Sequence, residues 1–181
     1  MNSFNIRMPK MKKIIITGPE SSGKTTLAKQ LAQFYQATYV PEYSRSYLSE
    51  LTRPYVEEDL LEIAKGQAEQ EKEYASKSSP IVIYDTSMLV LKVWSEYKYG
   101  RTHPWIEEQL LKNKNDLYLL CKPDVPWEED PLRENPLDRD LLFSMYLNEL
   151  KKLEASYFTI SGPNPLERLQ IAAEILNNLS I

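Results

Sequence analysis

A short run of glycine, serine and lysine, placed between an apolar segment and an amphipathic one, restricts the fold of this chain more than any other feature. Residues 18–25, GPESSGKT, fit the pattern G-x-x-x-x-G-K-[ST]. An apolar run, Ile14–Ile16, precedes them, and Leu27, Leu31 and Phe34 follow at the spacing of one helical face. Strand, loop and helix in this order predict a loop that binds phosphate groups.

Each fixed position of this loop has a physical role. Gly18 and Gly23 allow the backbone to curl, so that successive amides point at phosphate oxygens. The following helix directs its first amides and its dipole at the same anion. Lys24 can reach the β- and γ-phosphates, and the Thr25 hydroxyl can ligate Mg²⁺. We therefore expect ATP and Mg²⁺ as cofactors, with ATP bound by Gly18, Pro19, Glu20, Ser21, Ser22, Gly23, Lys24, Thr25 and Thr26.

The rest of the chain alternates apolar runs with amphipathic stretches, which predicts an α/β fold. We expect a five-stranded parallel sheet flanked by helices, of the P-loop nucleoside- and nucleotide-kinase type with a lid. The predicted strands are Lys13–Thr17 and residues 37–43, 80–85, 116–121 and 157–161. The predicted helices begin near Lys24, cover residues 56–77, 88–97 and 104–113, follow the stretch 126–140, and end the chain from Pro165, with Leu166, Leu169, Ala173 and Leu176 on one face.

Length and composition define the class of protein. We expect a single domain over residues 11–181, with a lid at about 123–140 and a flexible tail at 1–10. The formal net charge of −4 argues against a dedicated nucleic-acid binder. Because there is neither a signal-like apolar run nor a stretch of ~18 apolar residues, we expect a cytoplasmic protein with no membrane partner. The single Cys121 is expected to be a buried strand thiol, and the single His103 a surface or capping residue.

Two carboxylates lie at the ends of predicted strands and are candidates for phosphate chemistry. Asp85 can hold Mg²⁺ together with Thr25, or it can merely cap the helix that follows. Glu42, at the end of the second predicted strand, can accept a hydroxyl proton or bind a ribose, unless it is a solvated loop residue. Arg45, three residues later, either binds a phosphate or pairs with Glu42.

The polar, proline-rich stretch 127–140 places Arg133 and Arg139 between two helical regions. A lid that brings arginines onto a transferring phosphoryl group has this composition, and so does a solvated charged loop. We predict the lid, with Arg133 as a catalytic residue beside Lys24 and with Arg139 at the nucleotide. Arg168, in the last predicted helix, is the third arginine that we expect at ATP.

Several ordered motifs together resemble one family. TGPESSGKTTLAKQLA, VPEYSRSYL, YDTSMLVLKVWSEYKYG and DLYLLCKPDVPWEEDPLR extend over most of the chain. In this set the chain resembles the ribosylnicotinamide kinase domain of NadR-type NAD-biosynthesis proteins. The resemblance implies transfer of the ATP γ-phosphoryl group to the 5′-hydroxyl of nicotinamide riboside, which gives nicotinamide mononucleotide.

The resemblance also implies roles for particular residues. It carries Gly18–Thr25 over as the ATP site, Asp85 as a residue near metal and acceptor, and Arg133 as a lid residue, and it places Glu42 and Trp94 near the riboside. Larger family members also contain a repressor segment and an adenylyltransferase domain. Because the sequence starts almost at the phosphate loop, we expect no repression from this chain. Because one histidine cannot supply the two-histidine HxGH motif, we expect no dinucleotide synthesis either.

The acceptor would carry a permanent positive charge on its pyridinium ring. Aromatic faces hold flat cations, so we expect Trp94 to stack on this ring, with Tyr43 as a second choice; the alternative for Trp94 is the core. Two other functions stay open, a P-loop kinase for another small acceptor and a non-kinase ATP-binding regulatory module. A GTPase is disfavoured because a base-reading N-K-x-D motif after a strand is missing. The partner expected is a small-molecule riboside, and the sequence leaves the oligomeric state open.

Overall fold

Five strands form one parallel sheet in the spatial order β2-β3-β1-β4-β5. The computed structural model describes residues 12–75 and 79–181, so the flexible tail predicted at 1–10 lies outside the described residues. The strands are β1 (Lys12–Thr17), β2 (Thr38–Val40), β3 (Ile81–Asp85), β4 (Leu117–Cys121) and β5 (Ser156–Ile160). The predicted five-stranded parallel sheet is confirmed.

Helices flank this sheet and connect its strands. They are α1 (Lys24–Phe34), α2 (Tyr43–Glu50), α3 (Glu57–Ala75), α4 (Met88–Tyr99), α5 (Pro104–Lys112), α6 (Arg139–Lys152) and α7 (Pro165–Asn178). No helix in the described ranges has the length and apolar character needed to cross a membrane. The cytoplasmic location stays a prediction.

The central strand β1 is buried on both faces, which explains its continuous β-branched run. Ile14 and Ile16 pack in one apolar layer with residues of α1 and α7, whereas Ile15 belongs to the opposite layer, which α3 to α6 complete. In register, Ile16 lies opposite Asp85 of β3. The phosphate loop that follows β1 therefore starts next to the carboxyl end of β3.

The second strand differs from the prediction. It ends at Val40, because Pro41 cannot donate a hydrogen bond to a sheet ladder. Glu42 then adopts an extended conformation as the N-cap residue of α2, a helix that the sequence pattern did not indicate. Glu42 is thus a helix-start residue, and the prediction that it ends a strand was wrong.

Most local predictions outside this segment hold, with two exceptions at helix ends. His103 caps α5, where its Nδ1 accepts the Trp105 N–H at 3.1 Å. Cys121 is fully buried, and burial raises the pKa of its thiol to about 12.

Two apolar residues expected on inner helical faces are exposed instead. Phe34, the last residue of α1, is 59% exposed, and Leu166, in the first turn of α7, is 62% exposed.

Candidate active site

A cavity of about 320 Å³ lies at the carboxyl ends of the strands, where loops from different strands meet. The loop after β1 supplies residues 18–26, and the segment after β2 supplies Glu42, Ser44 and Arg45. Further lining residues come from α4, α6 and α7, from the stretch after β4 and from the β5–α7 loop. One space is therefore lined by the phosphate loop and by acidic and aromatic side chains.

The phosphate loop has the close backbone approach that its glycines predict. Gly18 has a φ of 137°, and a Cβ at this residue would lie 2.6 Å from the Cys121 carbonyl oxygen. Gly23, with a φ of 76°, is the N-cap residue of α1, so no side chain at this position covers the first amides of the helix. The Lys24 ammonium donates to the Pro19 carbonyl oxygen at 2.6 Å. The lysine thus folds back over the loop that lines the cavity.

Asp85 is positioned by β3 and held by a tyrosine of the neighbouring strand. Its side chain is almost completely buried, and Oδ2 accepts a hydrogen bond from the Tyr39 hydroxyl at 3.0 Å. Oδ1 is buried without a hydrogen-bond partner among the described residues. The alternative that Asp85 caps the next helix was wrong, because Ser87 occupies that position and accepts from the Leu89 N–H.

Glu42 lines the cavity at the start of α2 and is half-buried. Its Oε1 accepts a hydrogen bond from the Ser44 hydroxyl at 2.8 Å. Burial raises the pKa of Glu42, although the nearby Lys24 ammonium acts in the opposite direction. Arg45 also lines the cavity, and its guanidinium forms an ion pair with Asp130 at 3.0 Å. Asp130 belongs to the predicted lid, so this ion pair connects α2 to the lid.

The two aromatic candidates for the acceptor have different surroundings. Trp94 of α4 lines the cavity and is half-buried; its Nε1 donates to the Tyr55 hydroxyl at 2.9 Å, and the two rings meet edge to face. The Tyr43 ring instead lies against Gly66 of α3, where a Cβ would come within 2.1 Å of the Tyr43 Cε1 atom. Tyr43 does not belong to the described residues that line the cavity.

The predicted lid lies over the phosphate loop and contacts it through Ser21. An Arg133 Nη1 lies 3.3 Å from the Ser21 Oγ, and the same hydroxyl oxygen accepts the Glu128 N–H at 2.9 Å. Arg139 is the first residue of α6, and its guanidinium donates to the carbonyl oxygens of Ser21 and Val125 at 3.1 and 2.9 Å. Of these two arginines, Arg133 lines the cavity, whereas Arg139 is not among its described lining residues.

Trp127 lies between the two lid arginines and was not among the predicted site residues. The guanidinium carbons of Arg133 and Arg139 lie 5.9 and 5.8 Å from its ring centroid, within the range of cation–π attraction. A tryptophan in a polar, proline-rich stretch was the signal in the sequence that could have indicated an aromatic contact for the two arginines.

Arg168 is buried beside the phosphate loop, with only 2% of its surface exposed. It donates to the carbonyl oxygens of Gly162 (2.7 Å), Ser22 (2.6 Å) and Lys122 (2.8 Å), and it pairs with Asp124. The guanidinium therefore joins the phosphate loop to the loops after β4 and β5. Arg168 lines the cavity, and its partners in the structure are protein atoms. Its contact with ATP stays a prediction.

Comparison with known proteins places these features in a family. A family model described as an AAA domain matches residues 13–168. The chain belongs to this family. It is 29% identical over 174 residues to the trifunctional NAD biosynthesis/regulator protein NadR of Escherichia coli, covering 92% of this chain and 42% of that protein. The NadR protein of Salmonella typhimurium is 28% identical over 147 residues, with 77% and 35% covered. The chain spans less than half the length of these relatives.

Solved structures show the same fold. A NadR protein in complex with NR matches 93% of this chain and 50% of its own, with a TM-score of 0.78 at 19% identity. A thymidylate kinase from Ehrlichia chaffeensis matches 93% of this chain and 100% of its own, with a TM-score of 0.69 at 17% identity. The predicted resemblance to NadR-type proteins is confirmed, and so is the P-loop nucleoside-kinase fold.

Proposed function

We propose that this chain is an ATP-dependent kinase that phosphorylates the 5′-hydroxyl of nicotinamide riboside to nicotinamide mononucleotide. The observation that carries the proposal is the shared cavity, which is lined by the phosphate loop and by Glu42 and Trp94. A phosphoryl donor and a hydroxyl acceptor can meet there. The similarity to NadR, and the NR bound in a solved NadR structure of the same fold, supply the choice of acceptor.

The phosphate loop and Arg133 can neutralise the negative charge of the ATP phosphates. In phosphoryl transfer the acceptor oxygen forms a bond to the γ-phosphorus while the bond to the β–γ bridging oxygen breaks, and ADP leaves. The loop amides and the Lys24 ammonium meet the phosphate oxygens once Lys24 exchanges the Pro19 carbonyl for a phosphate. Arg133, held near Ser21, faces the same space and can stabilise charge that develops in the transition state.

The acceptor hydroxyl loses a proton in this reaction, and we assign its acceptance to Glu42. The carboxylate lies at the cavity, and its raised pKa makes it a better proton acceptor than a solvated glutamate. The Ser44 hydroxyl holds one of its oxygens, which orients the side chain. Asp85 is not among the described residues that line the cavity, but it is close enough to raise the pKa of Glu42, and we assign it to the metal instead.

The residues present fit a magnesium ion. Asp85 Oδ1 is a buried carboxylate oxygen that lacks a protein partner among the described residues, which is the kind of atom that a hydrated cation satisfies. Thr25, in the first turn of α1, supplies a hydroxyl at the cavity. No group of three His, Cys, Asp or Glu side chains in residues 12–75 and 79–181 could hold a metal alone. Mg²⁺ suits such a site because it keeps waters and binds substrate phosphates, and it would supply further neutralisation of the phosphates.

Trp94 provides a surface for the other end of the acceptor. A pyridinium ring is a flat cation, and a tryptophan face attracts it by about 0.5–2 kcal/mol depending on desolvation. The indole N–H is already bound to Tyr55, so the orientation of the ring is fixed before the acceptor arrives. We expect the indole ring to favour the charged riboside over neutral nucleosides.

A transfer assay tests the proposal. The protein is incubated with ATP, Mg²⁺ and separate acceptors (nicotinamide riboside, cytidine, thymidine and thymidine monophosphate), and the products are identified by mass. We expect nicotinamide mononucleotide from the first acceptor, and a turnover about a thousandfold lower in Lys24→Ala. Transfer to another acceptor alone would support the second candidate, a different nucleoside or nucleotide kinase, for which the thymidylate kinase fold is the supporting observation. ATP hydrolysis without any transfer would indicate a non-kinase ATPase.

A further inference from the structure

The lid is attached to the phosphate loop by a side chain that the loop motif leaves unspecified. Glu20 occupies a variable position of the motif, and its Oε2 accepts the backbone N–H groups of Glu134 and Asn135 at 2.9 and 3.0 Å. Its Oε1 accepts the Asn135 side-chain amide at 3.2 Å. One carboxylate of the nucleotide site thus binds two successive lid amides and one lid side chain.

Glu134 is also held by two residues outside the phosphate loop, Tyr55 and Lys98. The Tyr55 hydroxyl donates to the Glu134 carboxylate at 2.5 Å, and the Lys98 ammonium pairs with this carboxylate at 3.1 Å. A tyrosine hydroxyl has one proton and two lone pairs. Here the proton goes to Glu134, and the lone pairs accept from Trp94 Nε1 and from Lys98. Tyr55 therefore links the cavity tryptophan to the lid.

The point of attachment determines where an arginine lies. Arg133 immediately precedes Glu134 in the chain, and its guanidinium reaches Ser21 of the phosphate loop. When the two residues after it are fixed, the Arg133 backbone has little freedom to move away from the loop. The side chain of Arg133 is only 20% exposed, whereas that of Glu134 is 45% exposed.

We propose that Glu20 and Tyr55 are positioning residues. Glu20 holds Glu134 and Asn135 from the phosphate loop, Tyr55 holds Glu134 from the side of Trp94, and together they place Arg133 over the phosphate loop. The role of Arg133 in phosphoryl transfer rests on the proposed kinase function. The contacts by which Glu20 and Tyr55 hold the lid do not depend on that function. Glu20 contributes its charge as well as its shape, because hydrogen bonds from backbone amides to a carboxylate are about twice as strong as those to a neutral oxygen.

Amide hydrogen exchange tests the hold directly. The exchange rates of the Glu134 and Asn135 amides are measured in the wild type, Glu20→Gln, Glu20→Ala and Tyr55→Phe, with and without the ATP analogue AMP-PNP. Glu129→Gln is the matched control, since it removes an exposed lid carboxylate that is not part of the contacts described above. We expect exchange about tenfold faster in Glu20→Ala, an intermediate rate in Glu20→Gln, a smaller increase in Tyr55→Phe and no change in the control.

Steady-state kinetics of the same variants test the consequence for Arg133. We expect kcat to fall about tenfold or more in Glu20→Ala, with the KM for ATP changed less than threefold, and a partial fall in Glu20→Gln. Wild-type exchange rates at both amides in Glu20→Ala and Tyr55→Phe would overturn the hold. Faster exchange with an unchanged kcat would overturn the positioning of Arg133. A raised KM for the acceptor with unchanged exchange would make Glu20 an acceptor contact and overturn the proposal.

The two hypotheses fail separately. If the wild type transfers phosphate to none of the acceptors, the proposed function fails, and the exchange rates still decide whether Glu20 and Tyr55 hold the lid. Because Glu20→Gln keeps the size of the side chain, an effect of Glu20→Ala on folding cannot imitate the graded series. Thermal melts of all variants provide the check on folding.

Discussion

Arg168 and Arg133 both reach the phosphate loop, but their surroundings differ. Arg168 is 2% exposed and donates to three backbone carbonyls and to Asp124. The side chain of Arg133 is 20% exposed and contacts the Ser21 hydroxyl and the Glu128 carbonyl oxygen. The planar guanidinium suits both positions because it offers five donors in a fixed arrangement. The difference indicates that Arg168 shapes the loop, whereas Arg133 has donors left for a phosphate.

The two arginines also come from different kinds of segment in the chain. Arg168 comes from α7 and connects three segments that are far apart in sequence, so its bonds form only when the sheet is complete. Arg133 belongs to the stretch between β4 and α6, which can change its conformation without disturbing the strands. Substitution should therefore separate a loss of stability from a loss of rate.

Arg168→Ala should have the largest effect, and it should affect stability. The change leaves the carbonyl oxygens of Ser22, Lys122 and Gly162 without their donor and removes the ion-pair partner of Asp124, which keeps the hydrogen bond from the Gly162 N–H. Loss of one partner from a buried, hydrogen-bonded charge network costs about 3–5 kcal/mol. Urea denaturation measures it, and Arg101→Ala, at an exposed ion pair with Glu57, is the control that should lose less than ~1 kcal/mol. A loss as small as in the control would show that Arg168 does not stabilise the fold.

The sequence predicted the framework because the framework depends on local patterns. The glycines of the phosphate loop, the buried run of β3 and the start of α5 at Pro104 are each specified within a few residues. α2 was missed because it is short, Tyr43–Glu50, because its buried residue is the polar Ser44, and because it depends on packing of Tyr43 against Gly66 of α3. Propensity gives little information when tertiary contacts decide the conformation.

The sequence indicated most of the residues that line the cavity, but few of the contacts that these residues make. Lys24, Glu42, Trp94 and Arg133 do line one cavity. The protein partners of Arg168 could not be inferred, because Ser22 and Lys122 are 146 and 46 residues away along the chain. The contact of Glu20 with the lid spans 114 residues and was equally hidden. Motifs indicate which side chains are present, but the fold decides what they contact.

Arg133→Ala should show the converse of Arg168→Ala. The side chain is partly exposed, so the free energy of unfolding should change by less than ~1 kcal/mol. If Arg133 stabilises charge that develops in the transition state, kcat should fall about a hundredfold, which corresponds to ~2.7 kcal/mol. Steady-state kinetics and ATP titration measure the two effects, and the KM for ATP should change little. Weaker ATP binding with an unchanged kcat would instead indicate a contact in the ground state.

Glu42→Gln should lower the rate while it stabilises the fold modestly at pH 7. Burial raises the pKa of Glu42 in the folded protein, so its contribution to stability is fully present below the unfolded-state pKa and is lost as the pH rises through the folded-state pKa. The ionised carboxylate therefore destabilises the fold at pH 7, and a neutral amide removes this cost. Loss of a general base lowers kcat by about a hundredfold. Thermal melts at pH 4 and pH 7 should show that the stability gained by the variant grows with pH. A gain equal at both pH values would contradict the raised pKa.

Asp85→Asn should produce a fall in rate similar to or smaller than that of Glu42→Gln. Its characteristic effect should be a change in the dependence of turnover on Mg²⁺. The amide keeps the hydrogen bond from Tyr39 but removes the charge at the buried, unpartnered oxygen. If Asp85 serves Mg²⁺, the concentration needed for half-maximal turnover should rise about tenfold, which is ~1.4 kcal/mol. The test is a Mg²⁺ titration of turnover in the wild type and in Asp85→Asn, with Glu42→Gln as the comparison that should leave the midpoint unchanged. An unchanged midpoint in Asp85→Asn would exclude the role at the metal.

Trp94→Ala should have the smallest effect and should be confined to the acceptor. Loss of one aromatic face should weaken binding of a cationic riboside by about 1 kcal/mol, or roughly fivefold in KM, while the KM for ATP stays at the wild-type value. Trp94→Phe should recover part of this loss, because a phenyl face remains while the hydrogen bond to Tyr55 disappears. Trp105→Phe in α5 is the matched control, since that ring packs on the same apolar cluster and does not belong to the described cavity lining. Equal losses for both ligands together with a lower melting temperature would assign Trp94 to the core, where it would support the lid through Tyr55 without meeting the acceptor.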